Sequence, residues 1–113
     1  MKHKDTALQA ILNQGLLPLF YYPDAEVSLE VIRTLYRAGV RVLEYTNRGN
    51  LALTNFQFIK EALVKEMPDL LLGIGTIKNT TEAQSFIEAG ADFIVCPVVD
   101  AAVGKMTHNA GLL

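Results

Sequence analysis

The stretch Val40-Arg41-Val42-Leu43-Glu44-Tyr45-Thr46-Asn47-Arg48 decides the fold, because it has the pattern of a buried strand that ends in charged residues. Its first residues are apolar and largely β-branched, and the run is too short to form a helix. Ala38-Gly39 stands immediately before it and is typical of a helix end. We therefore expect a helix, a glycine and then a buried strand over residues 40–46.

Glu44 is the first candidate functional residue, because it is a carboxylate inside this apolar run. Side chains alternate along a strand, so Val42, Glu44 and Thr46 are expected on one face, with Arg48 following where the strand becomes a loop. Burying a carboxylate without a partner is costly and raises its pKa. Glu44 is therefore either used in chemistry or joined to Arg41 or Arg48 in an ordinary ion pair, and this stretch alone leaves both alternatives open.

The same pattern of helix end, glycine and apolar strand occurs in residues 38–43 and again in residues 89–94. Apolar runs predict strands at residues 16–22, 40–46, 70–77 and 93–96, and the segments between them have helical periodicity. A short leading helix is expected at residues 6–12. Repeated βα units with apolar strands predict an α/β fold with a parallel sheet covered by helices on its outer side.

Two helix starts carry capping residues. Asn79 and Glu82, or alternatively Thr81 and Gln84, have the separation of a capping box, and Asp100 is expected to cap the last helix. These positions predict helices that begin directly after the third and fourth strands.

Parallel βα folds place their ligand groups at the carboxyl ends of the strands. This rule selects residues 44–48 after the second strand, Thr76 after the third and Cys96-Pro97 after the fourth. Gly73 and Gly75 lie within the third strand, where we expect them to leave room for a ligand or another backbone. The candidate site therefore lies at one edge of the sheet.

Several classes of protein are not expected. The net charge is −2 and the basic residues are scattered, which argues against general nucleic-acid binding. The first strand is followed by Tyr22-Pro23-Asp24 rather than by a glycine-rich turn, and Gly73-Ile74-Gly75 lacks the third glycine of a dinucleotide motif. No apolar run approaches the ~20 residues that span a bilayer.

The composition indicates one globular domain over these 113 residues, and the cysteine content and the N-terminal sequence predict a cytoplasmic location. Cys96 is the single cysteine, so no intrachain disulfide forms, and the first residues lack the apolar core of a signal peptide. With two histidines and no clustered ligands, a metal site is not expected. Cys96 is not expected to act as a nucleophile, because His3 and His108 are far from it in the chain.

Residues 40–48, Gly73-Ile74-Gly75-Thr76 and Cys96-Pro97 together resemble the strand-end motifs of the 2-keto-3-deoxy-6-phosphogluconate (KDPG) and 4-hydroxy-2-oxoglutarate (KHG) aldolases. These are class I aldolases built on a (β/α)8 TIM barrel. The resemblance implies that this chain contains only about the first four βα units. Residues 1–113 would then be the N-terminal half of a single barrel domain.

The resemblance also implies roles for three residues. Glu44 matches the general acid/base of the family, and Arg48 and Thr76 match residues that hold the carboxylate of the pyruvate portion. The Schiff-base lysine of the family lies on the sixth strand, beyond Leu113, so the chain alone is expected to be inactive.

The function implied is cleavage of KDPG to pyruvate and glyceraldehyde 3-phosphate by a longer protein, with a small 2-keto acid as substrate and no cofactor. Such proteins are commonly trimers. One alternative is a non-catalytic half-barrel that acts by association, and another is a phosphate-binding or isomerase barrel that uses the same strand ends without an imine.

One departure from the family pattern concerns the fourth strand. The family commonly has a serine and a glycine around the proline, where this chain has Cys96 and Val98. We expect this difference to affect substrate preference.

Overall fold

The computed structural model describes residues 3–113 as an α/β fold with three parallel strands and five helices. The elements follow one another along the chain as α1 (His3–Gln14), β1 (Leu19–Phe20), α2 (Ala25–Arg37), β2 (Val42–Thr46), α3 (Ala52–Glu66), β3 (Leu71–Gly75), α4 (Thr80–Glu88) and α5 (Ala101–Asn109). No helix among these residues is long and apolar enough to cross a membrane.

The sheet has the order β1-β2-β3, and both pairings are parallel. Strand β2 is central: Glu44 lies opposite Leu19 of β1 and opposite Gly73 of β3. All five residues of β2 are buried, as the apolar pattern of the stretch predicts. The predicted parallel α/β architecture is confirmed.

All four predicted strands are shorter than expected: β2 and β3 lose two and three residues, and the other two lose most of their length. Strand β1 has two residues instead of seven. Pro18 has no N–H to donate, and β1 is an edge strand with a neighbouring strand on one side only. The predicted strand at residues 93–96 is reduced to an isolated bridge between Ile74 and Ile94. Its backbone still runs beside β3, since Val95 N donates to Ile74 O at 2.9 Å, and Pro97 then ends the pairing.

Helices α4 and α5 begin at predicted capping residues, and α2 has a side-chain cap that the sequence analysis did not predict. Asp24 accepts from Val27 N and starts α2, and Asp100 accepts from Val103 N and starts α5. Of the two alternatives for α4, the structure uses Asn79, whose Oδ1 accepts from Glu82 N at 2.9 Å. These bonds satisfy amides that would otherwise lack partners in the first turn.

The two faces of the sheet have different environments. On one face, β2 and β3 pack against the helices in the main core, whose side chains from the strands are Leu43, Tyr45, Leu72 and Ile74. On the other face, a smaller apolar cluster contains Ala7 of α1, Val42 and Phe93. Strand alternation places Glu44 and Thr46 on this second face, beyond Val42, as expected.

Tyr45 joins the end of β2 to the loop that follows β1. Its hydroxyl donates to Tyr22 O at 2.8 Å and lies 3.2 Å from both Ser28 Oγ and Asn55 Nδ2. Ser28 Oγ donates to the same carbonyl at 3.0 Å, and Asn55 Nδ2 donates to Pro23 O at 2.9 Å. This network is buried beneath the carboxyl ends of the strands and fixes the loop there.

We expect Tyr45→Phe to lower the free energy of unfolding by about 1–3 kcal/mol, because Tyr22 O and the two buried side chains lose a common partner. Chemical denaturation measures the change. Tyr22→Phe is the matched control, because Tyr22 is half exposed and its hydroxyl can bond to water in the folded protein. Equal stabilities of the two variants would contradict a structural role for the Tyr45 hydroxyl.

Candidate active site

The predicted site residues lie at the carboxyl ends of β2 and β3. Thr46, the last residue of β2, is opposite Gly75, the last residue of β3. The segments that follow β2 and β3 are also hydrogen-bonded, because Asn47 N donates to Gly75 O at 2.9 Å. Arg48 and Thr76 therefore leave the sheet from neighbouring positions at the same edge.

Glu44 is a buried carboxylate with one hydrogen-bond donor among the described residues. The residue is 5% exposed, and Thr46 Oγ1 donates to Glu44 Oε2 at 3.4 Å. Because this bond is long, the carboxylate is weakly compensated for its removal from water.

An ordinary ion pair does not explain Glu44. Arg41 lies elsewhere, with its guanidinium 3.3 Å from Asp69 Oδ2 and 3.8 Å above the centre of the Tyr36 ring. None of the ion pairs found among residues 3–113 involves Glu44, although the charge of Arg48 acts on it from a greater distance. Of the two alternatives left open by the sequence, the ion pair with Arg41 is wrong and Arg48 makes no direct pair.

Burial raises the pKa of the Glu44 carboxyl above its ordinary value. The hydrogen bond from Thr46 and the positive charge of Arg48 act in the opposite direction and are weaker than the burial effect. A carboxyl group in this state can accept and release protons nearer to neutral pH than an exposed one.

Thr76 has a backbone conformation that the sequence did not predict. Its φ is +61°, and among the described residues it is the one non-glycine with a positive φ. A β-branched residue rarely adopts this conformation, so the backbone is strained here. The hydrogen bonds of its neighbours, from Asn47 N to Gly75 O and from Ile77 N to Val95 O, hold the conformation on both sides.

The expectation that Gly73 and Gly75 leave room for a ligand is wrong. The space beside Gly73 is filled by the ring of Phe93, and the space beside Gly75 is filled by the carboxylate of Glu44. The physical reason is strand alternation, which places both glycines on the same face as Glu44. The glycines therefore accommodate side chains of the protein itself.

The remaining reactive residues are not placed for nucleophilic catalysis. Lys78, the nearest lysine in the chain to Thr76, is exposed, and none of the five lysines that the structure describes lies in β1, β2 or β3. Burial and the nearby charge of Asp100 raise the pKa of the Cys96 thiol, which disfavours its nucleophilic form.

Comparison with known proteins identifies the family of this chain. Residues 8–112 match the KDPG and KHG aldolase family. The KHG/KDPG aldolase of Escherichia coli (strain K12) is 33% identical over 98 residues, which cover 86% of this chain and 44% of that protein. The chain belongs to the KDPG and KHG aldolase family.

Solved structures agree with this assignment. The KDPG aldolase of Zymomonas mobilis ZM4, solved with 3-phosphoglycerate, is 30% identical with a TM-score of 0.71, and the match covers 86% of this chain and 45% of that one. A 4-hydroxy-2-oxoglutarate/2-dehydro-3-deoxyphosphogluconate aldolase is 34% identical with a TM-score of 0.78, covering 94% and 50%. This chain therefore spans about half the length of the relatives it matches.

We expect Glu44→Gln to stabilise the folded protein at neutral pH. The wild-type carboxyl must ionise in a buried place, and its folded pKa is raised above the ordinary value of 4.5, so the wild type loses stability as the pH rises through the interval between these two values. The advantage of the variant should be present at pH 7 and should disappear below about pH 4.

Thermal unfolding at the two pH values measures this difference. Glu61→Gln, at an exposed position on α3, controls for the loss of one negative charge. A Glu44→Gln variant that is less stable than the wild type at pH 7 would contradict a weakly compensated buried carboxylate.

Proposed function

We propose that this chain is part of a class I aldolase that cleaves KDPG to pyruvate and glyceraldehyde 3-phosphate, and that the lysine forming the Schiff base lies beyond Leu113. The observation that carries the proposal is the buried carboxylate of Glu44 at the carboxyl end of the central strand. Membership of the aldolase family supplies the reaction class for this carboxylate.

We further propose that residues 1–113 form the N-terminal half of a single (β/α)8 barrel domain. The support is the repeated βα order, the parallel sheet and the match to about half of each relative. The face of the sheet that bears Glu44 would then be the interior of the barrel.

In the proposed reaction, the lysine amine adds to the keto carbon and water leaves to give an iminium. Removal of a proton from the C4 hydroxyl breaks the C3–C4 bond, its electron pair passes to the iminium, and glyceraldehyde 3-phosphate departs. The enamine that remains is protonated at C3 and hydrolysed to pyruvate. Glu44 carries these protons, because its pKa is raised by burial and its charged form is still stabilised by Thr46 and Arg48.

Arg48 and Thr76 are proposed to hold the carboxylate of the pyruvate portion. The Arg48 side chain is exposed at the carboxyl edge of the sheet, so it is free to meet a ligand there, and a guanidinium binds a carboxylate through two parallel hydrogen bonds. Thr76 lies at the adjacent strand end, and its strained backbone is of the kind that accumulates at binding sites.

The names of the relatives support the substrate class. The Escherichia coli relative is named for both KHG and KDPG, and the Zymomonas mobilis structure holds 3-phosphoglycerate, a phosphorylated three-carbon acid. Assembly as a trimer remains a prediction from the family resemblance, and a cytoplasmic location remains a prediction from the cysteine content and the N-terminal sequence.

A second candidate function is that of a non-catalytic half-barrel that acts by association. It is favoured by apolar side chains that remain exposed at the edges of the structure, among them Leu12 and Leu16 near β1 and Val98 and Val99 after the isolated bridge. Surfaces of this kind mark sites of contact with other protein.

Reduction with borohydride in the presence of pyruvate separates the two candidates. An aldolase that carries both barrel halves should gain one reduced pyruvyl group, because the imine becomes a stable amine on one lysine. Intact-mass analysis and peptide mapping would locate it beyond residue 113. Absence of labelling in the longer protein would overturn the aldolase proposal and leave the association function.

Glu44→Gln should lower kcat for KDPG cleavage by about 10²–10⁴-fold, the usual contribution of a positioned acid or base. Borohydride labelling by pyruvate should persist, since the lysine remains in place. Steady-state kinetics with the longer protein measure the effect, and Glu61→Gln again controls for charge. Unchanged turnover would show that Glu44 does not carry the protons.

A further inference from the structure

A glycine is required at position 75 because a larger side chain would overlap Glu44, and not because of the backbone conformation. It is absent from the glycines with positive φ, so the backbone at this position suits an ordinary residue. A Cβ atom on Gly75 would lie 1.6 Å from Glu44 Oε2 and 2.3 Å from Glu44 Cδ. No side chain larger than hydrogen fits here while the carboxylate holds its position.

Thr46 closes the second side of the same space. It lies directly opposite Gly75 in the pairing of β2 with β3, and the residue is 1% exposed. Its Oγ1 donates to Glu44 Oε2, the same oxygen that lies against Gly75. Two independent contacts, one of shape and one of hydrogen bonding, therefore converge on one carboxylate oxygen.

The other oxygen is placed differently. The three atoms nearest to the position of a Gly75 Cβ are Oε2, Cδ and Cγ of Glu44, and the last of these lies at 3.1 Å, so Oε1 is the carboxylate oxygen farther from Gly75. Because Thr46 donates to Oε2, Oε1 is the carboxylate oxygen that has no donor among the described residues.

We propose that Gly75 and Thr46 form a seat for the Glu44 carboxylate that holds Oε2 against β3 and leaves Oε1 as the oxygen that exchanges protons with the substrate. The significance of the seat for turnover rests on the proposed aldolase function, but the seat itself does not. Gly75 and Thr46 are positioning residues, because they act through Glu44.

The neighbouring glycine provides an internal comparison. Gly73 lies on the same face of β3, and a Cβ atom there would lie 2.2 Å from the ring of Phe93. Gly73 therefore accommodates an apolar ring that packs with Val42, whereas Gly75 accommodates the carboxylate. Substitution of the two glycines should separate a packing defect from a misplaced acid.

The first experiment compares Thr46→Val with Thr46→Ser in the protein that carries both barrel halves. The pKa of Glu44 is read by NMR from glutamate labelled with ¹³C at Cδ, and the signal is assigned by its loss in Glu44→Gln. Valine keeps the shape but removes the donor to the charged form, so the pKa of Glu44 should rise, whereas serine keeps the donor and should hold it near the wild-type value. The acid limb of the kcat profile should move to higher pH in the valine variant alone.

The second experiment compares Gly75→Ala with Gly73→Ala. Gly75→Ala displaces the carboxylate and should lower kcat by about 10²-fold with little change in KM, as expected when an acid moves by about 1 Å. Gly73→Ala should lower the free energy of unfolding but keep the pH profile. In a Glu44→Asp background, whose side chain is shorter, the added effect of Gly75→Ala should be much smaller, because the overlap is gone.

Three outcomes are decisive. Equal pKa values of Glu44 in Thr46→Val and Thr46→Ser, or additive effects of Gly75→Ala and Glu44→Asp, would overturn the seat even if Glu44→Gln abolishes turnover. If Glu44→Gln leaves turnover unchanged while the two Thr46 variants still differ in the pKa of Glu44, the seat stands and the proposed function fails.

Discussion

The structure depends on the pairing of β2 with a parallel neighbour on each side. This pairing buries all five residues of β2 and so removes Glu44 from water without giving it a cation in direct contact. It also sets the register in which Thr46 meets Gly75 and Glu44 meets Gly73. A slip of one residue would turn Glu44 into the main core and Tyr45 away from it. The chemistry of the site and the packing of the helices are therefore specified by the same hydrogen bonds.

The alternation along β2 places Tyr45 and Glu44 on opposite faces of the sheet, where they have different roles. Tyr45, on the helix side, holds the loop after β1 through a buried polar network, while Glu44, on the opposite side, lies above the apolar contact of Val42 with Phe93. The network holds the loop after β1 in place, and the carboxylate on the other side is almost fully removed from water. A raised pKa follows from this arrangement because the compensating groups, Thr46 and Arg48, are one weak hydrogen bond and one distant charge.

The helices, their caps and the parallel sheet were predictable because they depend on local patterns. Asp100 begins α5 as expected, and Asn79 begins α4 as one of two alternatives. The strands were predicted less well: residues 16–22 and 93–96 are as apolar as β2, but strand length requires partners on each side, which these segments have only in part. The filling of the space beside Gly73 and Gly75 was not predicted for a related reason, since the side chains that fill it belong to other segments of the chain.

The sequence by itself determined the order of elements, the face on which Glu44 lies and the edge of the sheet where Arg48 and Thr76 emerge, because alternation and chain direction are local properties. Only the tertiary structure decided that Arg41 contacts Tyr36 and Asp69. It also decided that Thr76 takes a positive φ and that the Glu44 carboxylate packs against Gly75. Each of these depends on which residues the register of neighbouring strands and helices brings within a few ångströms. Residues far apart in the chain carry no local signal of that distance.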